Sequence, residues 1–175
     1  EVDAYFNISG PNGINTNLFC EDSPYKVVRT GYLYLTSSKD GGSTWSEPTL
    51  LNVKTSSERV CLVAPGSSIT TSSGSMIFPV YSYHGDNDAS GNTQRLSFIY
   101  SNDGENWSRS SEFNYNWASE AAVVELTNGS LRFFFRNGTK KLNYVDYHMG
   151  NGWGSVVTLS DVNTNSNTQI SAITY

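Results

Sequence analysis

The feature that most constrains this chain is a short turn-forming unit that occurs twice and fades at a third site. Ser38-Lys39-Asp40-Gly41-Gly42-Ser43-Thr44-Trp45 is the first copy, and Ser101-Asn102-Asp103-Gly104-Glu105-Asn106-Trp107 is a second, one residue shorter. Gly150-Asn151-Gly152-Trp153 is a degraded third copy without the aspartate or the threonine. In such a unit the Asp side chain can accept hydrogen bonds from backbone N–H groups of its own turn, glycines permit positive φ, and the Trp can pack over the hairpin it closes. Turn chemistry therefore accounts for Asp40 and Asp103 without any catalytic role. The tryptophans Trp45, Trp107 and Trp153 lie 62 and 46 residues apart, and units of that size fit four-stranded propeller blades.

The rest of the chain reads as short strands. Alternating or apolar β-forming runs occur at 32–37, 75–83, 95–101, 121–126 and 131–137, with Pro79 suggesting an edge strand or a bulge. Asn128-Gly129 is the strongest hairpin signal. A two-residue loop there would set Glu120 opposite Asn137. A three-residue loop, Thr127-Asn128-Gly129 with Gly129 left-handed, would make Glu120 and Arg136 direct cross-strand partners, and is favoured because it puts both on one face. The first 18 residues read as loop, and no long amphipathic helix is expected.

Only 15% of residues are charged and the net charge is −5, which argues against nucleic acid and anionic membrane surfaces as partners. No apolar run reaches the roughly 18 residues of a membrane span. Neither His84 nor His148 sits in a metal-ligand spacing, and no cofactor motif is present, so neither metal nor cofactor is expected. Cys20 and Cys61 could form one disulfide, although two isolated core residues are the preferred reading. Sequons at Asn7, Asn106, Asn128 and Asn137 are expected by chance in a chain so rich in Asn, Ser and Thr. The chain lacks an initiator Met and a signal peptide, and is expected to be one domain, 1–175, cut from a longer protein at both ends.

Ser38, Asp40, Gly42, Thr44 and Trp45 match the SxDxGxTW Asp box of sialidases and related propellers. The wider context resembles large bacterial sialidases of the clostridial type. It includes Asp22-Ser23-Pro24-Tyr25-Lys26-Val27-Val28, Ala64-Pro65-Gly66, Met76-Ile77-Phe78-Pro79-Val80-Tyr81, Ser119-Glu120 and Gln169-Ile170-Ser171-Ala172. The resemblance implies an all-β, six-bladed sialidase propeller of which this chain covers about three blades. It also implies a secreted or cell-surface exo-α-sialidase, monomeric, acting on sialylated glycans. The family pocket uses three arginines on the sialic acid carboxylate, a tyrosine nucleophile, a glutamate that polarises it and an aspartate acid/base. By position Glu120 matches the glutamate and Arg136 the second arginine, while Tyr81 and Gln94 fall near pocket-lining positions. The other members are expected outside this chain.

The chemistry suits these residue types. A carboxylate on an anomeric carbon calls for a planar, permanently charged, bidentate donor, which Arg supplies. A neutral phenol avoids the repulsion a carboxylate nucleophile would meet, and needs a neighbouring base such as Glu120 to take its proton. A non-catalytic glycan-binding propeller, a trans-sialidase of either the intermolecular or intramolecular kind, and a purely structural Asp-box protein remain open as alternatives.

Overall fold

The computed structural model describes the backbone pairing of 7–9 with 15–17, together with residues 31–84, 94–115, 117–137, 140–164 and 170–173. All regular structure among the described residues is β-strand. Strands β1 (Asn7–Ser9) and β2 (Asn15–Asn17) pair antiparallel, with Asn7 opposite Asn17. This corrects the reading of residues 1–18 as loop. The two strands lack hydrophobic alternation, so periodicity gives no signal there. The turn-forming run Gly10-Pro11-Asn12-Gly13 between them was the available clue.

Strands β3 (Leu33–Leu35) and β4 (Thr49–Leu51) pair across the first turn unit. A five-stranded antiparallel sheet follows, made of β5 (Val60–Val63), β6 (Ile69–Thr70), β7 (Met76–Tyr83), β8 (Gln94–Ser101) and β9 (Ser108–Arg109). A second five-stranded sheet holds β10 (Ser119–Glu125), β11 (Leu131–Arg136), β12 (Lys141–His148), β13 (Gly152–Trp153) and β14 (Val157–Asn163). No helix of the described residues is long and apolar enough to cross a membrane.

The turn units are held by their own side chains. Asp40 Oδ1 accepts from the Thr44 N–H at 2.9 Å and Oδ2 from the Thr44 hydroxyl at 2.6 Å, while Ser38 Oγ accepts from the Gly42 N–H at 2.8 Å. In the second unit Asn106 replaces the threonine: its N–H donates to Asp103 Oδ1 and its amide Nδ2 to Oδ2, both at 2.7 Å. Trp45 and Trp107 each donate their indole N–H to a glycine carbonyl three residues back, Gly42 and Gly104, at 3.2 Å. The third turn has left-handed Gly150 and Gly152 and a backbone bond from Asn151 N–H to the His148 carbonyl, so glycine geometry stands in for the missing aspartate.

Pro79 lies in β7, an interior strand, which corrects the expectation of an edge or a bulge. It fits because its neighbour is interrupted there. The Ala64 N–H donates to the Pro79 carbonyl, β5 has already ended at Val63, and β6 begins only at Ile69. The missing N–H of Pro79 faces the Ala64 carbonyl, one residue past the end of β5, so it forfeits a single bond where the ladder already stops.

Two cores result. Leu33, Leu51 and Val53 pack with Cys61, Val80 and Ile99, with Trp107 set edge-on to Phe78 at 5.5 Å between ring centres. Cys61 is a buried free thiol, pushed up to about 11 by burial; Cys20 lies outside the described residues. The larger core joins the two five-stranded sheets. Phe98 stacks on Phe133 at 5.3 Å, and Trp153 meets Phe98, Phe113, Phe133 and Tyr147 at 5.0–5.9 Å. The sheets are also joined through backbone, since the Val123 N–H donates to the Ser67 carbonyl. Gly66 permits this approach: a Cβ there would stand 2.3 Å from the Ala121 carbonyl oxygen.

Two outcomes follow. The Asp40 carboxyl is held down from 3.8 to about 2, first by the Thr44 hydroxyl and then by the Thr44 N–H and Ser38. Its folded pKa is depressed, so its contribution to stability is complete above about pH 4 and is lost as pH falls towards 2. Asp40→Asn is expected to flatten that part of a melting-temperature profile against pH; an unchanged profile would remove the carboxylate from the turn's stability. Gly66→Ala is expected to cost about 2 kcal/mol by overpacking, seen as a lower urea midpoint of the full-length protein. An unaltered midpoint would mean that the sheets separate there without cost.

Candidate active site

The hairpin of β10 and β11 sets the site. Glu125 pairs with Leu131, the Leu126 N–H donates to the Ser130 carbonyl, and Gly129 is left-handed at φ 79°. This is the three-residue loop favoured from the sequence. That register alone would set Glu120 opposite Arg136, yet the residue facing Arg136 is Ser119. The expectation of direct cross-strand partners is corrected by a β-bulge. Between Ser119 and Ala122 one extra residue enters β10, and Glu120 takes a left-handed φ of 51°. The carboxylate is still brought to the guanidinium, and Arg136 Nε donates to Glu120 Oε2. Both side chains are about three-quarters covered, so the pair is held in a partly desolvated place.

The pair lines a cavity of about 280 Å³ together with Tyr81, Tyr83, Gln94, Trp117, Ser119, Asn137 and Lys140. All four side chains singled out in the sequence, Glu120, Arg136, Tyr81 and Gln94, are brought together here. The second sheet wall comes from one face of the β7–β8 ladder, in which Tyr83 pairs with Gln94 and Tyr81 with Leu96. That face is core at Leu96 and Phe98 and becomes cavity wall towards the strand ends. Gln94 Nε2 donates to the Tyr83 hydroxyl at 3.0 Å, and the Tyr81 and Tyr83 rings stand edge-on at 5.8 Å. Burial pushes the Tyr81 phenol up, as do the neighbouring Tyr83 and Glu120, against the opposing charge of Arg136. A phenol shifted that way stays protonated, which suits a hydrogen-bond donor better than a nucleophile.

Tyr83 was not singled out in the sequence, although it lies two residues beyond Tyr81 and shares its face by strand alternation. Trp117, Asn137 and Lys140 come from connections, where no periodicity marks them. The left-handed non-glycine residues of the described chain are Trp117, Glu120 and Lys140, and all three line this cavity. Such backbone costs about 1–3 kcal/mol each and collects at functional sites.

A second polar cluster lies on the opposite face of β7. Arg109 Nη1 bonds Glu58 at 2.6 Å and Nη2 reaches Glu112 at 3.3 Å, while Ser82 and His84 bond the same Glu112 oxygen at 2.7 and 2.9 Å. Burial pushes the Glu58 carboxyl up, but hydrogen bonds led by Arg109 override it and hold it well below its ordinary range. Glu58, His84 and Glu112 bring ligand atoms within 4.8 Å of one another, a grouping no sequence spacing indicates. With the Arg109 guanidinium bonded to both carboxylates, the grouping is an ion-pair network. Three sequon asparagines have structural partners: Asn106 in its turn, Asn128 accepting from the Ser130 N–H, and Asn137 donating to the Tyr115 hydroxyl.

Residues 13–175 match the model of the BNR repeat-like domain. The chain is 30% identical over 188 residues to the anhydrosialidase of Macrobdella decora, covering 97% of this chain and 24% of that protein. It is 34% identical over 170 residues to sialidase B of Streptococcus pneumoniae, covering 91% of this chain and 22% of the relative. The crystal structure of a mutant of the NanB sialidase from Streptococcus pneumoniae superposes with a TM-score of 0.66 at 30% identity, over 90% of this chain and 24% of that one. The chain thus spans about a quarter of the length of the curated relatives it matches. The repeated turn units, the all-β sheets and these matches agree: the chain belongs to the BNR repeat-like domain family, and the relatives it matches are sialidases.

Proposed function

We propose that this segment is part of the catalytic domain of an extracellular exo-sialidase, where it supplies about three blades of a six-bladed β-propeller and one wall of the sialic acid pocket. The observation that carries the reading is the convergence of Glu120, Arg136, Tyr81 and Gln94, from two sheets, on one cavity. Sialylated glycans are its substrates, and terminal sialic acid is the sugar released.

In this reading Arg136 binds the substrate carboxylate. Its Nε is committed to Glu120, and the fork geometry of a guanidinium carries further N–H donors towards an anion. The chain's overall charge of −5 does not attract an anionic sugar, so the local cations Arg136 and Lys140 supply the attraction. Tyr81 donates from its protonated phenol, and Gln94 fixes Tyr83 beside it. Glu120, placed by the bulge and oriented by Arg136, takes the proton from an attacking tyrosine supplied by another part of the protein. The tyrosine oxygen bonds the anomeric carbon as the bond to the leaving oxygen breaks, and an aspartic acid, also supplied by another part of the protein, protonates that oxygen. Water then attacks the anomeric carbon and gives its proton to that aspartate, while the tyrosine leaves and Glu120 returns its proton to it.

Glu120→Gln in the full-length protein is expected to lower kcat about 100-fold or more with KM little changed, because the amide cannot take the proton. Arg136→Ala is expected to raise KM for sialosides by at least tenfold. Steady-state kinetics on 3′-sialyllactose checks both, and a wild-type kcat for Glu120→Gln removes Glu120 from the mechanism. The matched anhydrosialidase favours a second reading, intramolecular transfer. Mass analysis of the product decides between them: free sialic acid supports hydrolysis, and an anhydro sugar lighter by one water supports transfer.

A further inference from the structure

We propose that Ser119 is a further substrate-binding residue of this cavity, whose hydroxyl donates a hydrogen bond to the carboxylate that Arg136 binds. The inference rests on the sialidase reading above and adds a donor which that reading does not contain.

The first observation is a hydroxyl without a partner. Ser119 is 7% exposed and lines the cavity. The other buried serines of the described residues have their hydroxyls engaged. Ser82 donates to Glu112, Ser97 accepts from Arg109, Ser101 donates to Asp103, and Ser130 meets His148 Nδ1. The Ser119 hydroxyl makes no hydrogen bond to any described residue. Thr164 Oγ1 also lacks one, but it is sealed in and does not line the cavity, whereas Ser119 Oγ is not sealed. A buried hydroxyl left unpaired is costly, so one that persists at a cavity wall points to a partner that arrives with the ligand.

The second observation is how the hydroxyl is placed. Consecutive residues of a regular strand turn to opposite faces, so an unbroken β10 would offer the cavity either Ser119 or Glu120. The bulge between Ser119 and Ala122, with Glu120 left-handed, brings both to the cavity wall. Glu120 spends its carboxylate on Arg136. Ser119 is the residue paired with Arg136 across the strands, and side chains of such a pair are neighbours. An anion bound by Arg136 therefore lies beside the serine.

The chemistry of the group fits that anion. A hydroxyl carries one O–H donor that can rotate towards its acceptor, and each carboxylate oxygen has a lone pair to spare beyond the one a guanidinium takes. The bond is charge-assisted, and the serine, being neutral, brings no charge of its own next to Glu120.

The test uses the full-length protein and 3′-sialyllactose, with Ser119→Ala made both alone and together with Arg136→Ala. Alone, it is expected to lower kcat/KM about tenfold, mainly through KM. With Arg136 already replaced, the further loss is expected to be less than about twofold, because the anion is no longer seated beside the hydroxyl. Thermal melting reports a purely structural role: Ser119→Ala should keep the wild-type Tm, since it removes no bond within the fold. A Tm lowered by several degrees would assign the hydroxyl to the fold and overturn the proposal. An unaltered kcat/KM overturns it too, and so does an equal loss in both backgrounds, which would put the hydroxyl on another part of the sugar. If the wild-type protein releases neither sialic acid nor its anhydro form, the sialidase reading itself fails and the proposal with it; that outcome is distinct, because it precedes any mutation.

Discussion

The contact on which the rest depends is the aromatic layer between the two five-stranded sheets. Phe98 from one and Phe133 from the other lie nearly parallel, with Trp153 set against both. This apolar cluster positions the sheets by shape and area, with the Val123–Ser67 backbone bond and the Ser72–Glu125 bonds beside it. The cavity is what remains where this layer runs out. Along the β7–β8 face, Leu96 and Phe98 belong to the core, and Gln94, Tyr81 and Tyr83 line the opening. A shift of one sheet against the other would therefore change the distance between the tyrosine wall and the Glu120–Arg136 pair before it changed anything else in the site.

The bulge in β10 does separate work. Regular pairing would turn Glu120 and Ala121 to alternate faces. The extra residue makes Ser119 the partner of Arg136, yet the Glu120 carboxylate still meets the guanidinium, while Ala121, completely buried, lies under Gly66. The Glu120–Arg136 ion pair then fixes both groups, each side chain holding the other in place at the cavity wall.

Much of this was legible in the sequence, for reasons that can be named. The turn units are local: Ser38 to Trp45 make their hydrogen bonds within the unit, so eight letters suffice. β7 and β8 were legible from apolar runs, and the loop at Gly129 from one left-handed glycine. The bulge was not, because one extra residue in β10 leaves no mark in the apolar pattern, and the backbone it packs against, at Gly66, lies 55 positions from Ala121. Pro79 misled for the same reason: its tolerance depends on where another strand stops. β1 and β2 were missed because Asn-rich strands paired through backbone carry no apolar period. Trp117 and Lys140 take their places from connections, and connection geometry has no alphabet of its own.

One consequence of the turn units concerns drift. The hydrogen bonds that close each turn lie within it, so the residues making them can change while the tryptophans Trp107 and Trp153 keep their packing. Asn106 does for Asp103 what Thr44 does for Asp40, and the third turn has dispensed with the aspartate and kept its strand pair by two glycines. The outer corners of the sheets are thus places where sequence is free to wander while the cavity stays as it is. A foreign peptide spliced between Gly150 and Gly152 would enter at such a corner, which makes that turn a natural point for attaching a probe or tether.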